Sequence, residues 1–201
     1  VAIVPSTPPS LTLLPTGPGQ VKTLERGPIV SYQAVAFFPD GERLLVAANE
    51  EGKPVRLYVQ SIESGAPRAV SGPGLRFSPP ADVISPDGRI AAVTDGEGQV
   101  VLFPLDGAEP SLAKGLEPGD VPMRWSLDGR SLYVFRFDEL PARIRRVDLD
   151  TRRREVIAEI TPADPAGVES FVAAQVTPDG GSWAYSYFQY RADLYLVTGL
   201  K

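Results

Sequence analysis

One turn returns four times along this chain. The copies are FFPDGERLLVAANE from Phe37, ISPDGRIAAVTDGE from Ile84, WSLDGRSLYVFRFD from Trp125 and VTPDGGSWAYSYFQ from Val176. Their glycines, Gly41, Gly88, Gly129 and Gly180, stand 47, 41 and 51 residues apart. A period of roughly 40–50 residues is that of a β-propeller blade. A unit of that length does not bury its apolar face alone, so it stacks against its neighbours.

Each copy has the same internal order. An apolar strand leads in, at Ala34–Phe38, Met123–Trp125 and Phe171–Val176. Asp40, Asp87, Asp128 and Asp179 then precede the glycines. Asp-Gly is a two-residue hairpin signal, because glycine accepts positive φ and aspartate tolerates it. The second strand follows at Leu44–Ala48, Ile90–Thr94, Leu132–Phe137 and Trp183–Tyr187. Several of these are continuous apolar runs, which predicts strands covered on both faces. Third strands are expected at Val55–Val59, Val100–Leu105, Ile144–Leu149 and Leu194–Val197, and fourth strands at Arg68–Val70, Ser111–Lys114 and Glu155–Ile160. RRREVIAEI, from Arg152, also reads as a short helix, but it occupies a fourth-strand position.

The expected fold class is all-β: a partial β-propeller of four-stranded antiparallel blades, with four to five blades visible. The parts fall at 1–30, 31–72, 73–117, 118–162 and 163–201. The first lacks its leading strand, the last lacks its final strand, and the three between are complete. A chain that opens and closes inside a blade, and begins with valine, reads as a C-terminal piece of a longer protein. Open blade edges predict self-association.

Composition narrows the chemistry. There are 19 glycines and 21 prolines in 201 residues, a turn-rich content, yet 43% of residues are hydrophobic. That apolar share favours a folded chain over a disordered one. The net charge of −5 gives no footprint for nucleic acid. Cysteine and histidine are both absent, which removes disulfides, thiolate metal sites and the commonest general base. No apolar run reaches the ~18 residues of a membrane helix, so no membrane insertion is expected of this segment. No cofactor, metal or catalytic residue is assigned.

The repeated Pro-Asp-Gly hairpin with its apolar strand, and the third-strand pattern DLYLV, resemble WD40-like Pro-Asp-Gly propeller repeats of the TolB type. Such repeats also occur in propellers of prolyl-oligopeptidase-like peptidases and behind bacterial Ser/Thr protein kinases. WAYSYFQYRADLYLVTGLK, from Trp183, looks like the end of the kinase-borne propellers. The resemblance implies a non-catalytic module that binds a protein or peptide, as sensor or scaffold of a bacterial kinase. A TolB-like periplasmic propeller and a peptidase gate are the alternatives. An extracytoplasmic place is implied if the parent is a membrane kinase or TolB-like. The kinase signature of Gly-rich loop, His-Arg-Asp and Asp-Phe-Gly is absent from these residues.

Asp40, Gly41, Asp87, Gly88, Asp128, Gly129, Asp179 and Gly180 are read as structural turn residues, since they sit on separate repeats in a turn that selects them for backbone reasons. Arg143, Arg145, Arg146, Arg152, Arg153 and Arg154 place six arginines in twelve residues. They are the first choice for a partner contact; the alternative is a solvated hairpin offset by Asp148, Asp150 and Glu155. Trp183, Tyr185 and Tyr187 alternate and share one strand face. They are read as inter-blade packing rather than as a ligand site, and Trp125 and Phe135 as core. Glu50-Glu51 and Asp138-Glu139 are read as surface loops, because adjacency does not give the ~5–10 Å separation of a glycosidase pair. Gly17-Pro-Gly19 and Gly96-Glu-Gly98 lack the lysine and helix of a phosphate loop.

Overall fold

The computed structural model describes residues 2–4, 9–78 and 81–192. Every regular element among them is a strand. A first sheet joins β1 (Ala2–Val4), β2 (Ser10–Leu13) and β3 (Lys22–Thr23). A second joins β4 (Ile29–Phe37), β5 (Arg43–Glu50), β6 (Arg56–Ser61) and β7 (Arg68–Pro73) in chain order. The third holds β8 (Ile90–Thr94), β9 (Val100–Pro104) and β10 (Ser111–Leu112). The fourth joins β11 (Val121–Trp125), β12 (Ser131–Phe135), β13 (Ala142–Asp148) and β14 (Arg154–Ile160), and the fifth pairs β15 (Val168–Val176) with β16 (Trp183–Gln189). All strand pairs are antiparallel meanders. This is a partial β-propeller.

Burial explains the uninterrupted apolar runs. Leu45 and Ala47 of β5 join a core with Val83, Ala91 and Phe103 of the third sheet. Leu44, Val46 and Ala48 of the same strand face Leu11 and Leu24 of the first sheet. β12 repeats the pattern: Leu132 and Val134 pack with Ala92 and Val100, while Tyr133 and Phe135 pack with Phe171 and Val176. Four cores thus sit at the four junctions between successive sheets. A strand with a neighbour on each side gains apolar burial from consecutive residues, not alternate ones.

Two sequence expectations change and one holds. The 73–117 repeat is not a complete four-stranded sheet. Its leading segment reaches β8 only through single-residue bridges, Arg76 to Thr94 and Ile84 to Ala91. RRREVIAEI is strand from Arg154 onward, as its position required. The second strand of the fourth sheet stops at Phe135, two residues short of the expected Phe137. The expected third strand Leu194–Val197 lies outside the described residues.

The turn itself differs in size and mechanism. Phe38, Ser85, Ser126 and Thr177 each donate their N–H to the carbonyl five residues on, closing four-residue loops rather than two-residue ones. Inside each loop the glycine N–H bonds back three residues, at 2.8–3.0 Å. Gly41, Gly88, Gly129 and Gly180 take φ of 67–75°, while the aspartates keep negative φ. Four-residue hairpin loops are commonly built around such a type I turn. Aspartate is there for its carboxylate: Oδ1 accepts the N–H two residues on in all four copies, at 2.8–3.1 Å.

Candidate functional site

The four turns gather at one end of the propeller, and the first three touch in series. A Cβ on Gly88 would lie 3.8 Å from Pro39, and one on Gly129 would lie 3.6 Å from Pro86, so each turn rests against the proline of the turn before. Leu127 replaces proline in the third copy, and the fourth glycine instead faces Tyr133 Oη, 2.9 Å from its notional Cβ. The turns therefore form a stepped rim.

A hydroxyl two residues before the aspartate locks three of these turns. Ser85, Ser126 and Thr177 donate to Asp87, Asp128 and Asp179 at 2.5–2.6 Å and accept an N–H across the loop. Those hydroxyl bonds, with the backbone N–H bonds, hold the three carboxyls below the ordinary aspartate range. In the first copy Phe38 takes the hydroxyl's place, and Arg43 covers its ring at 4.2 Å.

A pH dependence follows. A carboxyl held low when folded gives stability that is fully present above its unfolded pKa, about 3.9, and is lost as pH falls through the lower folded value. Urea midpoints should be insensitive to these groups from pH 7 to 5 and fall below about pH 4. Asp87→Asn should make that acid fall shallower; an unchanged slope would remove the turn carboxylates as its cause.

Within the rim, the leading segments of three successive repeats meet at one charged pair. Asp82 donates its N–H to Met123 O at 2.9 Å, and its carboxylate pairs with the Arg124 guanidinium. Arg124 Nη1 also donates to Val176 O at 3.0 Å. A cleft of about 360 Å³ opens here, walled by Asp82, Arg124, Val176, Thr177, Ser182 and Trp183. A second, of about 260 Å³, runs along Phe37, Pro39, Pro86, Leu127 and Pro178. Phe37 is 46% exposed, Leu127 68% and Trp183 44%. Together these give an apolar rim around a fixed guanidinium–carboxylate pair. Asp82 and Arg124 are legible only in retrospect: a charge inside an apolar lead-in strand needs a partner.

The arginine run divides. Arg143 and Arg145 both clamp Glu139, at 2.7 and 2.6 Å, and Arg143 also holds Glu159. Arg146 bonds Ser131 Oγ at 3.1 Å. Arg154 pairs with the fully buried Asp120 at 2.7 Å. Arg152 and Arg153, at the tip of the β13–β14 hairpin, make no ion pair among the described residues. Arg152 adopts φ 63° there. Glu139 and Glu50 are not free loop carboxylates: Glu50 is engaged by Lys53, Arg56 and Tyr58, and the Lys53 and Arg56 bonds, largest among its causes, pull its pKa down to about 2.

The aromatic row lies on β16, the last described strand. Tyr185 and Tyr187 stack on each other and lie 5.7 and 6.1 Å from the buried Phe171 ring, yet both remain over a third exposed. Trp125 and Phe135 are buried, as expected.

No family model matches this sequence, and no curated protein matches it. Solved structures do. TolB from Acinetobacter baumannii is 19% identical with a TM-score of 0.68, over 91% of this chain and 45% of that one. A putative TolB from Agrobacterium tumefaciens is 16% identical with a TM-score of 0.60, over 85% of this chain and 70% of that one. An oligogalacturonate lyase in complex with manganese is 16% identical with a TM-score of 0.53, over 88% and 58%. The chain thus spans less than half the length of the first of these. Among the described residues, no cluster of three or more acidic side chains is arranged to hold a metal. At these identities the likeness concerns the fold alone: this chain has the β-propeller fold that those structures share.

Proposed function

We propose that this chain is a non-catalytic propeller module that binds a protein or peptide partner at the turn-bearing end. The observation that carries it is the Asp82–Arg124 pair, tied across three repeats and ringed by exposed Phe37, Leu127 and Trp183. Exposed apolar groups around a preorganised charge form a contact surface, since buried aromatic anchors dominate partner binding. Arg152 and Arg153 are the part of the arginine run free to add charge to such a contact. The finer reading, the sensor or scaffold end of a bacterial Ser/Thr kinase, rests on the resemblance of the C-terminal sequence. TolB-like neighbours support the interaction module in general.

Selection of peptides from a displayed random library tests it. Binders should lose at least tenfold in affinity for Leu127→Asp, which puts a charge on the apolar rim, and keep their affinity for Glu51→Ala, in the β5–β6 turn at the opposite end of the second sheet. Equal affinity for all three proteins would overturn the assignment of this end.

A further inference from the structure

The opposite end of the propeller carries a second cleft with different chemistry. β8 begins beside Gly88, at the turn end, and runs to Thr94, about 17 Å away at ~3.3 Å per residue. There a slot of about 190 Å³ opens between the third and fourth sheets, its walls supplied by Phe77, Val93, Val121, Pro122 and Phe137. Gly98 and Gly119 line its floor and approach closely, the Gly119 N–H donating to Gly98 O at 3.1 Å. Both have positive φ, 76° and 91°. A Cβ on Gly119 would meet the Arg136 guanidinium at 3.2 Å, and one on Gly98 would lie 3.9 Å from Gly119 N. Phe137, the residue at which the expected strand fails to continue, stands 41% exposed at the edge, its ring edge-on to Phe135 at 4.9 Å.

The charge of this slot is unbalanced. Asp120 also lines it, but its carboxylate is consumed by Arg154 at 2.7 and 3.1 Å and by the Glu117 N–H at 2.8 Å. Arg136 is held by Asp138 and Glu117. Arg76 is exposed on the slot wall and makes no ion pair among the described residues. Of the charged residues lining the slot, Arg76 alone makes no ion pair among the described residues.

The geometry points to a binding site for a small carboxylate with an apolar body: the ring or short chain packs against the exposed Phe137 ring, and the carboxylate pairs with Arg76. Size follows from volume. Drug-sized ligands occupy ~300–1,000 Å³, so this slot takes a single ring or a short alkyl chain. Sign follows from Arg76, since a guanidinium bonds a carboxylate bidentately and repels an amine. The site is separate from the turn-end surface and does not depend on what binds there.

Isothermal titration of the intact chain with 4-phenylbutyrate, and with 4-phenylbutylamine as the charge-reversed control, tests it. One saturable site is expected for the carboxylate, with the amine at least tenfold weaker. Arg76→Gln should weaken the carboxylate about tenfold, and Phe137→Ala should do the same. If Phe137→Ala loses its far-ultraviolet circular dichroism, Phe137→Leu replaces it, with a smaller loss expected. Leu127→Asp should change nothing. Absence of a saturable heat, equal binding of the amine, or full affinity in Arg76→Gln would each overturn the site.

Discussion

Asp120→Ala is expected to lose about 3–5 kcal/mol of stability, the range seen when one partner of a buried ion pair is removed. Asp120 is fully buried and spans two strand connections. It accepts both Arg154 nitrogens and caps its own loop through the Glu117 N–H. Removing it leaves a guanidinium only 22% exposed with Gly115 O and a 3.9 Å approach from Glu117 in compensation. The surface pairs differ. Arg130–Asp150, at 3.6 Å with both side chains about 70% exposed, should change stability by less than ~1 kcal/mol when broken. For a chain of this length, the Asp120 loss amounts to roughly 10 °C in Tm. Urea and thermal unfolding of the two variants decide the matter. A fall no larger for Asp120→Ala than for Asp150→Ala would show that the buried pair is not what joins these loops.

Trp125→Ala is expected to lose about 3–5 kcal/mol, the range for deleting a large core aromatic. The indole is 5% exposed in the core between the third and fourth sheets, and its Nε1–H donates to Val83 O at 2.8 Å across that junction. Trp125→Phe separates packing from hydrogen bonding. Val83 O keeps a second donor, the Ala92 N–H at 2.8 Å, so it is not orphaned by the change. The phenylalanine variant should therefore lose only about 1–2 kcal/mol. Equal losses for the two variants, measured by denaturant midpoint at constant slope, would mean the hydrogen bond rather than the ring volume holds the junction.

The period of the repeat and the β class were legible because both are local. A turn with fixed φ requirements recurs, and apolar runs flank it. The double-sided burial of β5, β8 and β12 was legible for the same reason: a run such as Leu44–Ala48 has no polar face to present to water. Loop size was not. Pro-Asp-Gly reads as a tight hairpin, but the glycine N–H bonding back three residues and the aspartate Oδ1 taking the N–H two residues on hold a four-residue loop in all four copies, and the hydroxyl of Ser85, Ser126 or Thr177 adds a bond across it in three. The recurrence of Ser or Thr two residues before aspartate was present in three of the four copies and is the signal that was missed.

The arginine run shows the limit of counting charges along a chain. Six arginines in one hairpin read as one basic patch. Strand pairing sends their side chains to different faces, and the carboxylates of Glu139, Glu159, Asp128 and Asp120 lie against four of them. Arg152 and Arg153 at the tip make no ion pair among the described residues.

The sequence by itself determined the repeat length, the strand content, the turn positions and the faces to be buried, since each depends on residues within about fifty positions of one another. Tertiary structure alone decided which charges meet. Asp82 and Arg124, 42 residues apart in sequence, meet because successive repeats stack, and Asp120 and Arg154, 34 apart, meet because the fourth sheet folds its outer strand back onto the segment that leads into it. Both candidate clefts lie between repeats, where no single strand's pattern describes the space. Electrostatic pairing and cavity shape depend on distance in three dimensions, and only the packing of one blade on the next sets that distance.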